Sequence, residues 1–192
     1  MIDKKDLALR TLAIAKGYVG ISRATDKEQI SKFLAVFDLP FADAFGNPTP
    51  FCDAGYGYST LKAYCDQQGV PYTADSAVDV FKRVLPIVRR DYLYLSASCE
   101  ETRQDAIRRG IWLDAGDLDA DPKDILPGWP VLYNWNGGDT AHHIGCVSKD
   151  KGDLILDVEM NTSSQSNGNG GAVATRERSY GSILGFIRLY SL

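Results

Sequence analysis

A chain of 192 residues, 44% of them hydrophobic, is long enough to bury a sizeable core, and one catalytic domain spanning residues 1–192 is the expectation. A formal charge of −4 without any cluster of Lys or Arg excludes an electrostatic grip on a polyanion, so nucleic acid is not an expected partner. No segment approaches the roughly 20 apolar residues of a membrane span. The amphipathic start, in which Leu7, Leu12 and Ile14 alternate with Arg10 and Lys16, lacks the apolar stretch of a secretory signal, so a soluble monomer without a signal peptide is expected.

Residues 3–16 have helical spacing, with Asp3 as N-cap and Gly17 as stop. A second helix is expected from Asp26 to Phe37, where Ile30, Phe33, Leu34 and Phe37 share one face, and Pro40 lies beyond its end. Gly46, Pro48 and Pro50 make the stretch from Phe41 to Phe51 irregular. A third helix is expected from Cys52 to Gln68 despite Gly55 and Gly57, with Gly69 as its C-terminal stop, which puts Cys52 at a helix N-terminus. Ser76 to Val84 and Glu100 to Arg109 are further helical segments, and the intervening Tyr92 to Ala97 reads equally as strand or loop.

The pattern changes after Pro127. Five short runs, beginning near Pro130, His142, Asp153, Ala172 and Gly185, are rich in β-branched and aromatic residues and are separated by Gly, Asp and Asn. Helices first and consecutive strands afterwards indicate an α+β fold with an antiparallel sheet of five or six strands, helical to about residue 125 and sheet from about 129 to 190. The polar, Gly-rich run from Asn161 to Gly171 is expected as a mobile hairpin connection.

The four cysteines, Cys52, Cys65, Cys99 and Cys146, are spaced by 13, 34 and 47 residues, which matches no zinc motif and is sparse for a disulfide framework. Cys52 stands apart because a helix N-terminus favours the thiolate. The two histidines, His142 and His143, are adjacent, so on a strand only one faces a given site, and the alternation through Val147 selects His143. Glu159 lies in an apolar alternation where a buried acid needs a partner, and a histidine on the neighbouring strand supplies one. A carboxylate on the imidazole fixes its tautomer and supports its charge, completing a Cys-His-acid arrangement.

Pro50-Phe51-Cys52 opening a helix, the run from His142 to Val147 with Gly145 after the histidine, the run from Val158 to Ser163 that places Glu159 16 residues beyond His143, and the closing run from Ile183 to Leu189 together resemble the CHAP family. These cysteine, histidine-dependent amidohydrolases/peptidases are papain-like and are found largely among peptidoglycan hydrolases. The resemblance runs in order from Ile14 to Leu189 and is sharp around Cys52 and from Pro127 onward. It implies a papain-like fold, Cys52 as nucleophile, His143 as base, Glu159 as orienting acid and Asn161 as an auxiliary polar group. It further implies a peptidoglycan or peptide substrate, no cofactor, and a bacterial or phage protein acting at the cell wall or secreted; toxin, phage lysin and housekeeping enzyme all remain open.

Three departures stand out. Phe51 replaces the family's frequent Trp or Gln, Pro127-Gly128-Trp129 replaces Pro-Gly-Asp, and the 91 residues from Cys52 to His143 exceed the common interval, with an insertion over residues 91–125 that reshapes the cleft. The alternatives are a catalytically silent papain-like domain that binds peptide, glycan or protein, and a cysteine transamidase. His142, His143 and Cys146 do not converge on one metal ion from successive strand positions. Asp117, Asp119, Asp121 and Asp124 imitate a calcium loop but place Pro122 and Gly128 where Gly and Glu are needed, so a solvated acidic loop is expected. Trp135 and Asn136 either line a cleft or pack into the core.

Overall fold

The computed structural model describes residues 1–117, 125–163 and 170–191. Within them, five helices precede an antiparallel sheet: α1 (Lys4–Gly17), α2 (Lys27–Ala35), α3 (Cys52–Gln68), α4 (Ala77–Asp91) and α5 (Cys99–Arg108). The strands are β1 (Trp112–Asp114), β2 (Pro130–Tyr133), β3 (His143–Asp150), β4 (Leu154–Thr162), β5 (Ala172–Ser179) and β6 (Ile183–Ile187). They form one open sheet in the order β1-β6-β2-β3-β4-β5, with every neighbouring pair antiparallel. The α+β expectation therefore holds, with six strands. No helix among the described residues is long and apolar enough to cross a membrane.

The helix termini follow from local chemistry. Asp3 caps α1, its Oδ1 accepting the Asp6 N–H at 3.0 Å. Gly17 is the last residue of α1 and not the stop, because Tyr18 continues in right-handed geometry and the chain turns at Gly20, with φ of +98°. The second helix is shorter than its apolar spacing indicates: it ends at Ala35, and Asp38, with φ of +58°, redirects the chain before Pro40. Asp26 gives its carboxylate to the Ser22 N–H and the Thr25 hydroxyl instead of capping α2. Gly69, with φ of +66°, closes α3 where the sequence indicates.

The fourth helix extends past Val84 to Asp91 with Pro86 inside it. Proline removes one helical N–H, but Val84, Leu85 and Val88 around it are buried, and this packing carries the helix through. Residues 93–95 form no ladder and are a loop, with Leu93 and Leu95 fully buried. The short β1 lies in the stretch expected to be helical or irregular. It pairs with β6, and Gly185 makes room for it: a Cβ there would lie 2.4 Å from the Trp112 ring.

Helix α3 is the central element, buried almost throughout its first 14 residues. Gly55 and Gly57, which weaken an isolated helix, are its points of closest approach. A Cβ on Gly55 would lie 2.8 Å from Met160 Cγ on β4, and one on Gly57 would lie 2.6 Å from the Phe37 ring. The first turn of α3 is thereby held against β4. Tyr58 meets Phe33 and Phe81 edge to face at 5.1 and 4.9 Å, and the buried apolar side chains of helices and sheet form one continuous cluster.

Candidate active site

Cys52 is the first residue of α3. The approach to it is fixed by a knot in which Asp43 Oδ1 accepts the N–H groups of Phe45 and Asn47, both at 2.8 Å. It is fixed again by Arg23, whose guanidinium donates to the Thr49 carbonyl at 2.6 Å and lies 5.1 Å above the buried Phe51 ring. Phe51 thus serves as an anchor packed on Phe33, in place of a polar side chain beside the cysteine.

The Cys52 sulfur lies 3.6 Å from that of Cys99. Cys99 is the first residue of α5, whose N-cap Ser98 accepts the Glu101 N–H at 3.4 Å. Two helix N-termini therefore converge on one pair of sulfurs, and both favour negative charge there. The Cys52 thiol is drawn well below its ordinary 9.0, foremost by the hydrogen bond with Cys99; burial opposes this, while the hydrogen bond and charge of His143 and the Asp53 N–H add to it. Cys99 moves the opposite way, well above 9.0, so it keeps its proton and donates to the Cys52 thiolate. Burial also pushes the neighbouring Asp53 carboxyl well above 3.8, which favours its neutral form beside the thiolate.

His143 opens β3, and its Nε2 lies 2.9 Å from Glu159 Oε2. With Nε2 committed to the acid, Nδ1 is the ring nitrogen left for Cys52. The register explains the meeting: Gly145 pairs with Glu159, so His143, two residues away on the same face, reaches the acid diagonally across a residue without a side chain. Burial works against the imidazolium, but Cys52 and Glu159 hold it up to about 10 through hydrogen bonds and charge. Glu159 is fully buried, and burial alone would raise it; Arg178 on β5, then His143, hold its carboxyl down at about 2.

Aromatic rings frame this network. Trp135 stacks on Tyr133 at 5.0 Å, sits 6.0 Å from the His143 ring, and carries the Arg178 guanidinium on its face at 4.7 Å. Trp135 therefore packs on the site itself; it also borders a surface pocket of about 410 Å³ that includes Gly137 and Ser182. Below it, the Tyr133 hydroxyl donates to Asp157 at 2.7 Å, and burial together with the charge of Glu159 pushes the Asp157 carboxyl well above 3.8.

The structure brings Cys52, His143 and Glu159 together. Asn161, buried at the irregularity between Glu159 and Thr162 with φ of +58°, accepts from Arg23 at 3.3 Å and ties the segment around residue 23 to β4. A pocket of about 380 Å³ lined by Arg23, Pro48, Asn161 and Gly171 adjoins it. His142 is exposed while His143 is buried, as alternation requires. Among the described residues no three His, Cys, Asp or Glu side chains form a metal-binding group. Of the acidic run, Asp117 lies in a short 3-10 turn, and Asp119, Asp121 and Asp124 fall outside the described residues, as does residues 164–169 of the Gly-rich connection.

Sequence reasoning missed two residues of the site. Cys99 opens α5, and its signal was the Ser98-x-x-Glu101 capping pattern that puts a second thiol at a helix start. Arg178 reads as one of several charged strand residues. No family model, no curated protein and no solved structure matches this chain.

Proposed function

We propose that the protein is a cysteine amidase or peptidase that hydrolyses an amide bond in bacterial peptidoglycan through a thioester acyl-enzyme. One observation carries the reading: His143 bridges Cys52 and Glu159, with one ring nitrogen on the acid and the other left for the thiol. This geometry supports a thiolate–imidazolium pair, the resting state a thiol nucleophile needs.

The Cys52 thiolate adds to the amide carbonyl. The Cys52 N–H, at the start of α3 where a backbone donor has no carbonyl of its own helix to meet, stabilises the developing oxyanion. His143 protonates the leaving amine and then removes a proton from the water that releases the acyl group. Glu159 keeps the imidazole oriented and supports its charge, Arg178 keeps Glu159 ionised, and no cofactor enters the scheme.

A cell-wall substrate rests on the resemblance to CHAP enzymes in the sequence around Cys52, His143, Glu159 and Asn161. A helix-borne cysteine against a strand-borne histidine supports a papain-like reading, and the resemblance implies action at the cell wall. The test is digestion of purified peptidoglycan by the wild type and by Cys52→Ala, with mass spectrometry of the soluble fragments. Cleavage by the wild type alone is expected and names the bond; intact wall after both treatments overturns the wall substrate.

A further inference from the structure

We propose that Cys52 and Cys99 form a peroxide-reactive dithiol that closes reversibly into a disulfide, a modification site in which Cys99 is the resolving thiol. This goes beyond amide hydrolysis and does not depend on it.

The geometry carries the inference. The two sulfurs stand 3.6 Å apart, in contact, and a disulfide of about 2.0 Å requires them to close by less than the width of an atom. Each cysteine is the first residue of its helix, and α5 is preceded by the irregular segment of residues 93–98, whose backbone has no ladder to break when Cys99 moves. Cys52 is 7% and Cys99 6% exposed, so the pair lies close beneath the surface and a small oxidant reaches it more readily than a bulky one. Charge state singles out this pair: Cys52 is held as the thiolate, whereas burial pushes Cys65 up to about 11 and raises Cys146 further.

The chemistry balances with a hydroperoxide as oxidant. The Cys52 thiolate attacks one peroxide oxygen, an S–O bond forms and the O–O bond breaks, and the leaving hydroxide takes the proton of the His143 imidazolium and departs as water. Sulfur has lost two electrons and the peroxide has gained them. The Cys99 thiol then attacks the Cys52 sulfenic acid; the S–S bond forms, the S–O bond breaks, and hydroxide leaves with the Cys99 proton as a second water. Contact between the sulfurs lets Cys99 intercept the sulfenic acid before a second peroxide drives it to the irreversible sulfinic acid. A stabilised Cys52 thiolate is a good leaving group, so a dithiol reductant reopens the bond readily.

The experiment reads mass and needs no substrate. Reduced protein is treated near neutral pH with hydrogen peroxide, one equivalent to form the bridge and, in a parallel sample, an excess to compare overoxidation; its remaining thiols are alkylated in denaturant, and it is digested with trypsin. Each cysteine falls in its own tryptic peptide, Cys52 in residues 33–62 and Cys99 in residues 91–103. The wild type is expected to lose two free thiols and yield these two peptides joined, two hydrogens lighter than their sum, with full recovery after dithiothreitol. Cys99→Ser is expected to give no such species and to carry Cys52 on to sulfinic acid. The proposal is overturned if Cys52 stays free, if it overoxidises as fast in the wild type as in Cys99→Ser, or if the bridge joins other cysteines. Should Cys99→Ser not fold, the presence or absence of the wild-type bridge decides alone. A wild type that forms the bridge yet leaves peptidoglycan intact would retire the proposed substrate and keep this site.

Discussion

Arg178 grips both carboxylate oxygens of Glu159, Nε to Oε1 at 2.5 Å and Nη2 to Oε2 at 2.8 Å, from the neighbouring strand. The pair is almost without solvent, so its value lies less in net stability than in what happens when one partner is removed. Arg178→Leu leaves a buried carboxylate supported by His143 alone and is expected to cost about 3–5 kcal/mol. Arg178→Lys keeps the charge but loses the fork, and should fall between leucine and wild type. Urea unfolding of the three proteins checks this; equal midpoints would show that Arg178 does not hold Glu159.

Glu159→Gln tests the acid's role on the histidine. The amide retains a hydrogen-bonding oxygen but not the charge that helps keep His143 up at about 10. Turnover of the amide substrate is expected to drop by about 10²–10⁴-fold. Alkylation of Cys52 by iodoacetamide at pH 6 should slow as well, because a less basic imidazole supports the thiolate less. Unchanged alkylation together with unchanged turnover would remove Glu159 from the site.

How far the site could be read from the sequence depended on what kind of information each residue needs. Cys52 and Gly69 mark the ends of α3 through local rules, a turn-rich approach and a left-handed stop, and both are legible. His143 and Glu159 are legible because strand alternation puts one histidine inward and an acid among apolar residues. Arg178 is not, since Arg176, Glu177 and Arg178 look alike until the pairing of β4 with β5 decides which reaches the acid. Cys99 needs a tertiary contact between two helix starts 47 residues apart. The extension of α4 through Pro86 and the three-residue β1 were lost for a similar reason: packing on Val88 and pairing with β6 outweigh weak or contrary local signals.

Gly145 is where the backbone and the site meet most closely. A Cβ there would fall 1.9 Å from Asp157 Oδ2, so Gly145→Ala must displace the carboxyl that accepts the Tyr133 hydroxyl. Overpacking at about 1–3 kcal/mol and a buried hydroxyl left without its partner combine to lower the melting temperature by roughly 5–15 °C. Gly17→Ala is the control: nothing lies within 4 Å of its Cβ, and alanine at the end of α1 should leave stability equal or slightly higher. Similar melting temperatures for Gly145→Ala and wild type would contradict this close packing.

The thiolate–imidazolium pair also sets a pH window for stability. Unfolded, the histidine titrates near 6.5 and the cysteine near 9.0; folded, the cysteine lies well below 9.0 and the histidine at about 10. Between 6.5 and 9.0 the folded pair holds one proton, on His143, and the unfolded pair also holds one, on the cysteine, so the pair adds no slope. Below 6.5 the unfolded chain binds two protons against one, and the stability contributed by the depressed thiol is lost as pH falls. Above 9.0 the unfolded chain binds none against one, and the contribution of the raised histidine is lost until about pH 10. Each sloping arm approaches about 1.4 kcal/mol per pH unit. The measurement is the difference in unfolding free energy between the wild type and Cys52→Ala/His143→Ala, followed from pH 5 to 10. A flat-topped curve is expected; a steady slope across pH 6.5 to 9.0 would mean that Cys52 or His143 titrates inside that window in the folded protein, so that the pair is not held at one proton as both shifts require.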